Sequence, residues 1–68
     1  MKFNEYMKLV NELKNAYPEW RMGQTFFNAL QETDEELADS IRGTKADPFY
    51  QDEKIPEFLG VVAEEWNK

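Results

Sequence analysis

The sequence contains neither cysteine nor histidine among its 68 residues, and this restricts how so short a chain can become stable. Chains of this size lie near the lower limit for folding without disulfide bonds or bound metals. With no thiol and no imidazole, disulfide frameworks, thiolate zinc sites, cysteine nucleophiles and histidine acid–base pairs are excluded. The core must therefore consist of packed apolar side chains, and five Phe, three Tyr and two Trp supply the large ones.

Residues 20–30 hold the densest mixture of aromatic and neutral polar side chains, and we predict that they form the central helix. At about 100° per residue, the apolar side chains fall on one arc and the polar side chains on the opposite arc. The apolar arc contains Met22, Gly23, Phe26, Phe27, Ala29 and Leu30. The polar arc contains Arg21, Gln24, Thr25, Asn28 and Glu32. A glycine on an apolar arc indicates that another element approaches closely, and we expect the first or last helix to cross at Gly23.

The first two helices are predicted on either side of Pro18. Apolar residues at three- and four-residue steps predict the first helix over residues 4–17, with Asn4 as its N-cap. Proline disfavours the α region in the residue before it, so this helix should end at Pro18. Pro18 and Glu19 should then open the second helix, over residues 19–32. Proline fits a first turn, and a glutamate suits the positive end of the helix dipole.

Two further helices are predicted in the second half of the chain. Thr33 and Glu36 match a capping box for the third helix, which Gly43 should end in the left-handed conformation. The fourth helix should begin at residue 52 or 54 and end at residue 66. The four short helices, joined by tight turns, predict a compact all-α helical bundle that forms a single domain over residues 1–68.

The segment between the third and fourth helices, residues 44–52, should be irregular but held in place. Asp47 and Pro48 favour a turn, and we expect Asp47 to cap a single turn of helix. The adjacent rings of Phe49 and Tyr50 would be unusual in a mobile loop, so at least one of them should insert into the core.

The formal net charge of −6 is unevenly distributed. Residues 1–31 contain four Lys or Arg and three Asp or Glu, a net charge of +1, whereas residues 32–68 contain four and eleven, a net charge of −7. Nucleic-acid binding depends on basic side chains that neutralise phosphates, so we expect no nucleic-acid partner. A third helix in a DNA groove would bring Asp34, Glu35 and Asp39 toward the phosphates. An acidic surface keeps a small protein soluble, and it also suits a basic partner.

The location of the protein is predicted from the absence of targeting features. No apolar run approaches the roughly 18–20 residues that a membrane span requires. The N-terminal residues lack the apolar run and the cleavage site of a signal peptide. We therefore expect a soluble, cytoplasmic protein with no membrane partner, whereas nothing in the sequence indicates its oligomeric state.

Carboxylates are plentiful, but their spacing predicts no catalytic or metal site. The acidic residues of segment 32–39 cluster only along the sequence, as is typical of a solvated helix start. Asp47, Asp52 and Glu53 do not fit the calcium-binding pattern of an EF-hand. Ser40 has no histidine partner, and the isolated glycines form no phosphate-binding loop. We expect no enzymatic activity, no cofactor and no bound metal.

The polar arc of the central helix is the candidate for a specific role. Arg21, Gln24 and Asn28 lie at steps of three and four, so their side chains can form one continuous row. One interpretation is an internal network. In it, Arg21 pairs with Asp47 or a late glutamate, and the two amide side chains tie down residues 44–50.

The second interpretation is that the same row recognises another protein. Aromatic side chains often dominate such interfaces, and Trp20, Phe49 or Tyr50 would then serve as anchor residues. A small-molecule site is the third interpretation that the row allows.

Two blocks of the sequence form a distinctive combination, residues 21–30 (RMGQTFFNAL) and residues 41–50 (IRGTKADPFY). In these blocks the chain resembles a family of small proteins from bacteria and their phages or prophages. The resemblance continues through Asp52, Pro56, Phe58 and Leu59, and covers roughly residues 20–59. The family has no established activity, so the resemblance implies a phage or mobile-element setting and no functional residue.

The leading hypothesis is a non-enzymatic protein–protein interaction module, because the domain is acidic, helical and richer in aromatic residues than a minimal core requires. One alternative is a small-molecule-binding or catalytic module that uses carboxylates. Another is an acidic inhibitor that imitates DNA. A further alternative is a structural subunit that is stable only as an oligomer.

Overall fold

A computed structural model describes residues 3–67, which form four α-helices with one 3₁₀ turn before the last of them. The helices are α1 (Phe3–Ala16), α2 (Met22–Thr33), α3 (Glu35–Ile41) and α4 (Ile55–Trp66), and the 3₁₀ turn spans Asp52–Lys54. The described residues include no strand, so the predicted all-α architecture is confirmed. The Cα radius of gyration of 10.8 Å agrees with the ~11 Å expected for a compact chain of this length.

Helix α2 lies at the centre of the domain because it packs against α1, α3 and the 3₁₀ turn. Because α2 is buried on several sides, the prediction that its side chains divide into one apolar and one polar arc is partly wrong. Thr25 was expected on the polar arc, but it is fully buried and its Oγ1 donates to the carbonyl oxygen of Arg21 at 3.2 Å. Met22 was expected on the apolar arc, but 39% of it is exposed.

The core is made by buried side chains from all four helices. Besides those of α2, they are Tyr6, Val10, Leu37, Ala38, Ile41, Phe58 and Val62. The polar atom of the Tyr6 side chain is satisfied, because its hydroxyl donates to the carbonyl oxygen of Phe26 at 2.6 Å. Burial raises the pKa of the Tyr6 hydroxyl well above its ordinary value, so this side chain stays neutral in the folded protein.

The predicted starts of the first two helices are wrong. Asn4 lies inside α1 and is not its N-cap. Residues 17–21 form a turn, so α2 begins at Met22 rather than near residue 19. In this turn the Lys14 ammonium group donates to the carbonyl oxygens of Pro18 and Trp20. These contacts hold the turn in a non-helical conformation, and they could not be read from the proline alone.

The boundary between α2 and α3 lies one residue later than the capping box predicts. Thr33 is the last residue of α2, and its Oγ1 donates to the carbonyl oxygen of Ala29 at 3.0 Å. Asp34 caps α3 instead, with its Oδ1 accepting from the Leu37 amide at 3.2 Å. The end of α3 agrees with prediction, since Gly43 follows it with a φ of 78°.

Gly23 is a point of close approach, as its place on the apolar arc predicts. The approaching element is not the first or last helix, however, but the segment between α3 and α4. A Cβ atom built on Gly23 would collide with the carbonyl oxygen of Pro48 and lie 3.0 Å from Asp52 Oδ1. Only a glycine lets this irregular backbone pack directly on α2.

The last helix begins after the 3₁₀ turn, with Pro56 in its first turn, where proline is tolerated. Phe58 and Val62 of this helix are fully buried. Between residues 3 and 67, no helix has the length and apolar character needed to cross a membrane.

Candidate functional site

Residues 43–51, here called the connecting loop, are organised around one carboxylate. Asp47 Oδ2 accepts from the Gly43 amide at 2.7 Å, and its Oδ1 accepts from the Phe49 amide at 2.9 Å. Residues 48–51 form a tight turn closed by the Gln51 amide and the Pro48 carbonyl at 3.1 Å. Asp47 therefore caps a turn, as expected, but residues 48–51 form a single hydrogen-bonded turn and not a turn of helix.

Three contacts fix the connecting loop and the following 3₁₀ turn to the start of α2 and to Arg21, the residue before it. Arg21 Nη2 donates to the Phe49 carbonyl oxygen at 2.5 Å. The Gly23 amide donates to Asp52 Oδ1 at 2.9 Å, and the same oxygen lies 3.8 Å from Arg21 Nε. Pro48 is fully buried between these contacts. The loop is thus attached through its backbone and through Asp52 at the loop's end.

The polar row of α2 is only partly the internal network that the sequence suggested. Arg21 does reach the loop, but its acidic partner is Asp52 and not Asp47 or a late glutamate. The reason is that the Asp47 carboxylate is already engaged by amides of its own loop. Gln24 and Asn28 are half-buried, and within residues 3–67 the structure gives no hydrogen bond from either side chain to the loop.

The candidate aromatic anchors have different surroundings. Trp20 is half-buried and stacks face to face on Tyr17, with ring centroids 4.2 Å apart and planes inclined by 9°. Phe49 packs against the core, as expected for one ring of the pair, and meets Phe27 edge-on at 5.9 Å. Tyr50 is 79% exposed, and its ring centroid lies 4.8 Å from that of Phe49. Among these rings, Tyr50 offers the most surface to a partner.

A hollow of about 170 Å³, here called the aromatic cleft, lies between α2, the end of α3 and the connecting loop. Its walls are Phe27, Gln31, Arg42, Asp47, Phe49 and Tyr50. The Arg42 guanidinium lies 5.4 Å from the centre of the Phe27 ring, a cation–π distance. Arg42 Nη1 also donates to Asp39 Oδ1 at 2.6 Å. The cleft therefore combines three aromatic rings with charged groups that already have partners.

Sequence reasoning missed three residues of this cleft. The sequence places Phe27 on the apolar arc of the central helix, which is compatible with a second role in the cleft wall, and it assigns no functional role to Arg42. No local spacing relates these two residues, because the fold brings them together. Gln31 does carry a signal, since it follows Phe27 by four residues and so lies on the same face of α2.

Two other hollows are larger, more open and more polar than the aromatic cleft. One, of about 390 Å³, lies on the outer face of α1 beside Met7 and Lys8. The other, of about 370 Å³, lies where the end of α4 meets α3. There the Trp66 indole Nε1 donates to Asp34 Oδ2 at 3.0 Å, and Leu37 contributes an apolar contact.

The described part of the chain contains no group of three or more acidic, His or Cys side chains placed to hold a metal ion. Comparisons of the chain with family models, with curated proteins and with solved structures return no match. The candidate site consequently depends on its own geometry, in which the connecting loop, fixed to α2, presents Tyr50 beside the aromatic cleft.

Proposed function

We propose that the chain is a non-enzymatic module that binds another protein through the connecting loop and the aromatic cleft. Its proposed setting is the cytoplasm of a bacterium, where a phage or prophage gene would supply it. The proposal rests on one observation: a large aromatic side chain, Tyr50, is 79% exposed on a loop that is otherwise firmly attached.

The exposure of Tyr50 needs an explanation because a tyrosine ring is largely apolar. The neighbouring Phe49 packs on the core, so the loop does not need the Tyr50 ring to stay folded. A single exposed aromatic residue can be incidental on a protein surface. Here the ring borders a cleft that already contains two other aromatic rings, which favours a binding role.

The rigidity of the connecting loop also supports a binding role. Association costs free energy when it orders side chains and loops at an interface. Asp47 holds the loop through two of its own amides, and Asp52 in the following 3₁₀ turn accepts from the Gly23 amide of α2. The packing of Pro48 on Gly23 leaves the loop little room to move. A partner would thus meet a surface that is already arranged, at a smaller entropic cost.

The composition of the cleft agrees with known preferences of protein interfaces. Tyrosine and arginine are enriched among the residues that contribute most to binding, and such residues cluster around pockets. Tyr50 and Arg42 both border the aromatic cleft. Tyr50 is therefore the residue whose loss should weaken binding most.

The proposal is tested by capture of partners from a lysate of the cells that encode the chain. The baits are the wild-type protein and the variants Tyr50→Ala and Tyr17→Ala, the latter a matched loss of an exposed ring outside the cleft. A specific partner should be retained by the wild type and by Tyr17→Ala. Its recovery should fall about tenfold or more with Tyr50→Ala, because a central aromatic contact contributes at least that much affinity.

Circular dichroism of all three proteins checks that the substitutions leave the helical content unchanged. Equal recovery of every captured protein by the wild type and Tyr50→Ala would contradict the proposal. Binding of a metabolite would favour the alternative of a small-molecule or catalytic module. Competition between the chain and DNA for one DNA-binding protein would favour the DNA-mimic alternative.

A further inference from the structure

We propose that the aromatic cleft receives one bulky apolar side chain from a partner protein, and that basic residues flank this side chain in the partner. The inference rests on the proposed function and names the chemistry of the partner. It is carried by the size of the cleft, by the state of its charged groups and by the net charge of the chain.

The size of the cleft limits what can fill it. At about 170 Å³ it is smaller than the roughly 300–1,000 Å³ typical of small-molecule sites. A cavity of about 150 Å³ with apolar walls is large enough for a benzene molecule. One phenylalanine or leucine side chain therefore fits, whereas a nucleotide or a similar cofactor does not.

The walls of the cleft select an apolar group over a charged one. Three of the six wall residues are aromatic, namely Phe27, Phe49 and Tyr50. Arg42 is held by Asp39 and lies over the Phe27 ring, so its charge is already compensated. Asp47 is engaged by two backbone amides of the loop. Both charged wall residues therefore already interact with other groups of the chain.

The residues around the inserted side chain should be basic because the chain carries a formal net charge of −6. A net charge of this sign attracts cationic partners over distances of about 10 Å at moderate salt. The exposed face of Tyr50 adds a short-range contribution, since a Lys or Arg can lie against an aromatic ring. The net charge of the whole chain thus favours basic flanks, and the aromatic cleft favours an apolar central residue.

The test uses a peptide that contains a central phenylalanine, a glycine on either side and a lysine at each end. One control peptide has alanine in place of the phenylalanine. The other keeps the phenylalanine and has glutamate in place of both lysines. Each peptide is titrated into the ¹⁵N-labelled full chain at low ionic strength, and amide chemical shifts are followed. The first peptide should shift the amides of Gln31, Phe49 and Tyr50, with a dissociation constant in the millimolar range, about 1 mM.

The control peptides separate the two parts of the inference. The alanine peptide should bind at least about tenfold more weakly, because it lacks the buried ring. The glutamate peptide should bind several-fold more weakly, and added salt should reduce that difference. In the protein, Gln31→Trp should fill the cleft and abolish the shifts. Tyr17→Ala, outside the cleft, should leave them unchanged.

Several results would overturn the inference. They are the absence of shifts at the cleft up to about 10 mM peptide, equal binding of the alanine peptide, and equal binding of the glutamate peptide. If the amide chemical shifts at the cleft change when the protein concentration is raised without peptide, the occupant is a second copy of the chain. That result would also overturn the inference.

Failure of this inference is distinguishable from failure of the proposed function. A cellular partner captured in a Tyr50-dependent manner, together with no binding of the phenylalanine peptide, leaves the function standing and rejects the cleft chemistry. Peptide binding at the cleft without any Tyr50-dependent cellular partner supports the cleft chemistry and rejects the function.

Discussion

Gly23 is the residue where the backbone of the connecting loop meets α2 most closely. Its replacement by alanine places a methyl group against the carbonyl oxygen of Pro48, which belongs to a fully buried residue. Alanine gains less than the roughly 1 kcal/mol of helix propensity that applies in a helix interior, because Gly23 is the second residue of α2, whereas overpacking costs about 1–3 kcal/mol and the Asp52 contact must shift as well. We expect Gly23→Ala to lower the free energy of unfolding by up to about 2 kcal/mol in urea denaturation.

Gly60 provides the matched control for this substitution. It lies in the interior of α4, is exposed, and has no atom within 4 Å of a Cβ built on it. Gly60→Ala should therefore raise the free energy of unfolding by about 0.5–1 kcal/mol through helix propensity alone. If both substitutions stabilise the protein equally, the loop does not pack on Gly23 as described.

Gly23 also shows which part of a tertiary contact can be predicted from the sequence and which part cannot. Its place on an apolar arc correctly predicts a close approach, because a glycine in a helix interior is otherwise unfavourable. The identity of the approaching element depends on a loop far away in the chain, and no periodicity encodes that contact. The same reason explains why Arg21 was paired with the wrong carboxylate and why Phe27 and Arg42 were not assigned to one cleft.

At the level of elements, α3 has only seven residues and cannot be stable by itself. Asp34 supports it twice, by capping the Leu37 amide and by accepting from the Trp66 indole of α4. Asp34→Ala should lower the free energy of unfolding by about 1–2 kcal/mol, and Asp34→Asn by less, because asparagine is also a good N-cap. Thermal or urea unfolding followed by circular dichroism measures both changes.

Thr33→Ala is the control, because the capping box in the sequence assigns the cap to Thr33 instead. Its hydroxyl donates to carbonyl oxygens within α2, and alanine has the higher helix propensity, so the expected change is smaller than for Asp34→Ala. A larger loss of stability for Thr33→Ala than for Asp34→Ala would instead show that Thr33 caps α3, as the capping box predicts.

The helices themselves were predictable because apolar residues recur at helical spacing in each of them. Their starts were not, because adjacent residues competed for the same role. Thr33 and Asp34 are both good caps, and the choice between them involves Trp66, which lies 32 residues from Asp34. Proline marked the end of α1 correctly, but the turn after it is held by the Lys14 side chain.

For the whole molecule, Tyr6 joins three helices through a single side chain. Its ring lies 6.3 Å from that of Phe26 in α2 and 5.4 Å from that of Trp66 in α4, measured between centroids. Its hydroxyl is buried on the Phe26 carbonyl oxygen, and this burial raises its pKa. The folded protein therefore retains the Tyr6 proton at a pH where the unfolded chain has lost it.

This difference predicts that the domain loses stability in base. Below about pH 10 both states carry the Tyr6 proton and its contribution is complete. Above that pH the unfolded state binds fewer protons than the folded state. The free energy of unfolding then falls as pH rises, by at most about 1.4 kcal/mol per pH unit from this group. Urea denaturation at several pH values between neutral and strongly basic would measure the slope.

Tyr6→Phe isolates this contribution from the general charge repulsion that grows when an acidic chain is placed in base. The variant should be less stable at neutral pH by about 1 kcal/mol, because it lacks the buried hydrogen bond. Its stability should then fall less steeply above pH 10 than that of the wild type. Parallel curves for wild type and Tyr6→Phe would contradict a buried, neutral Tyr6 at the junction of the helices.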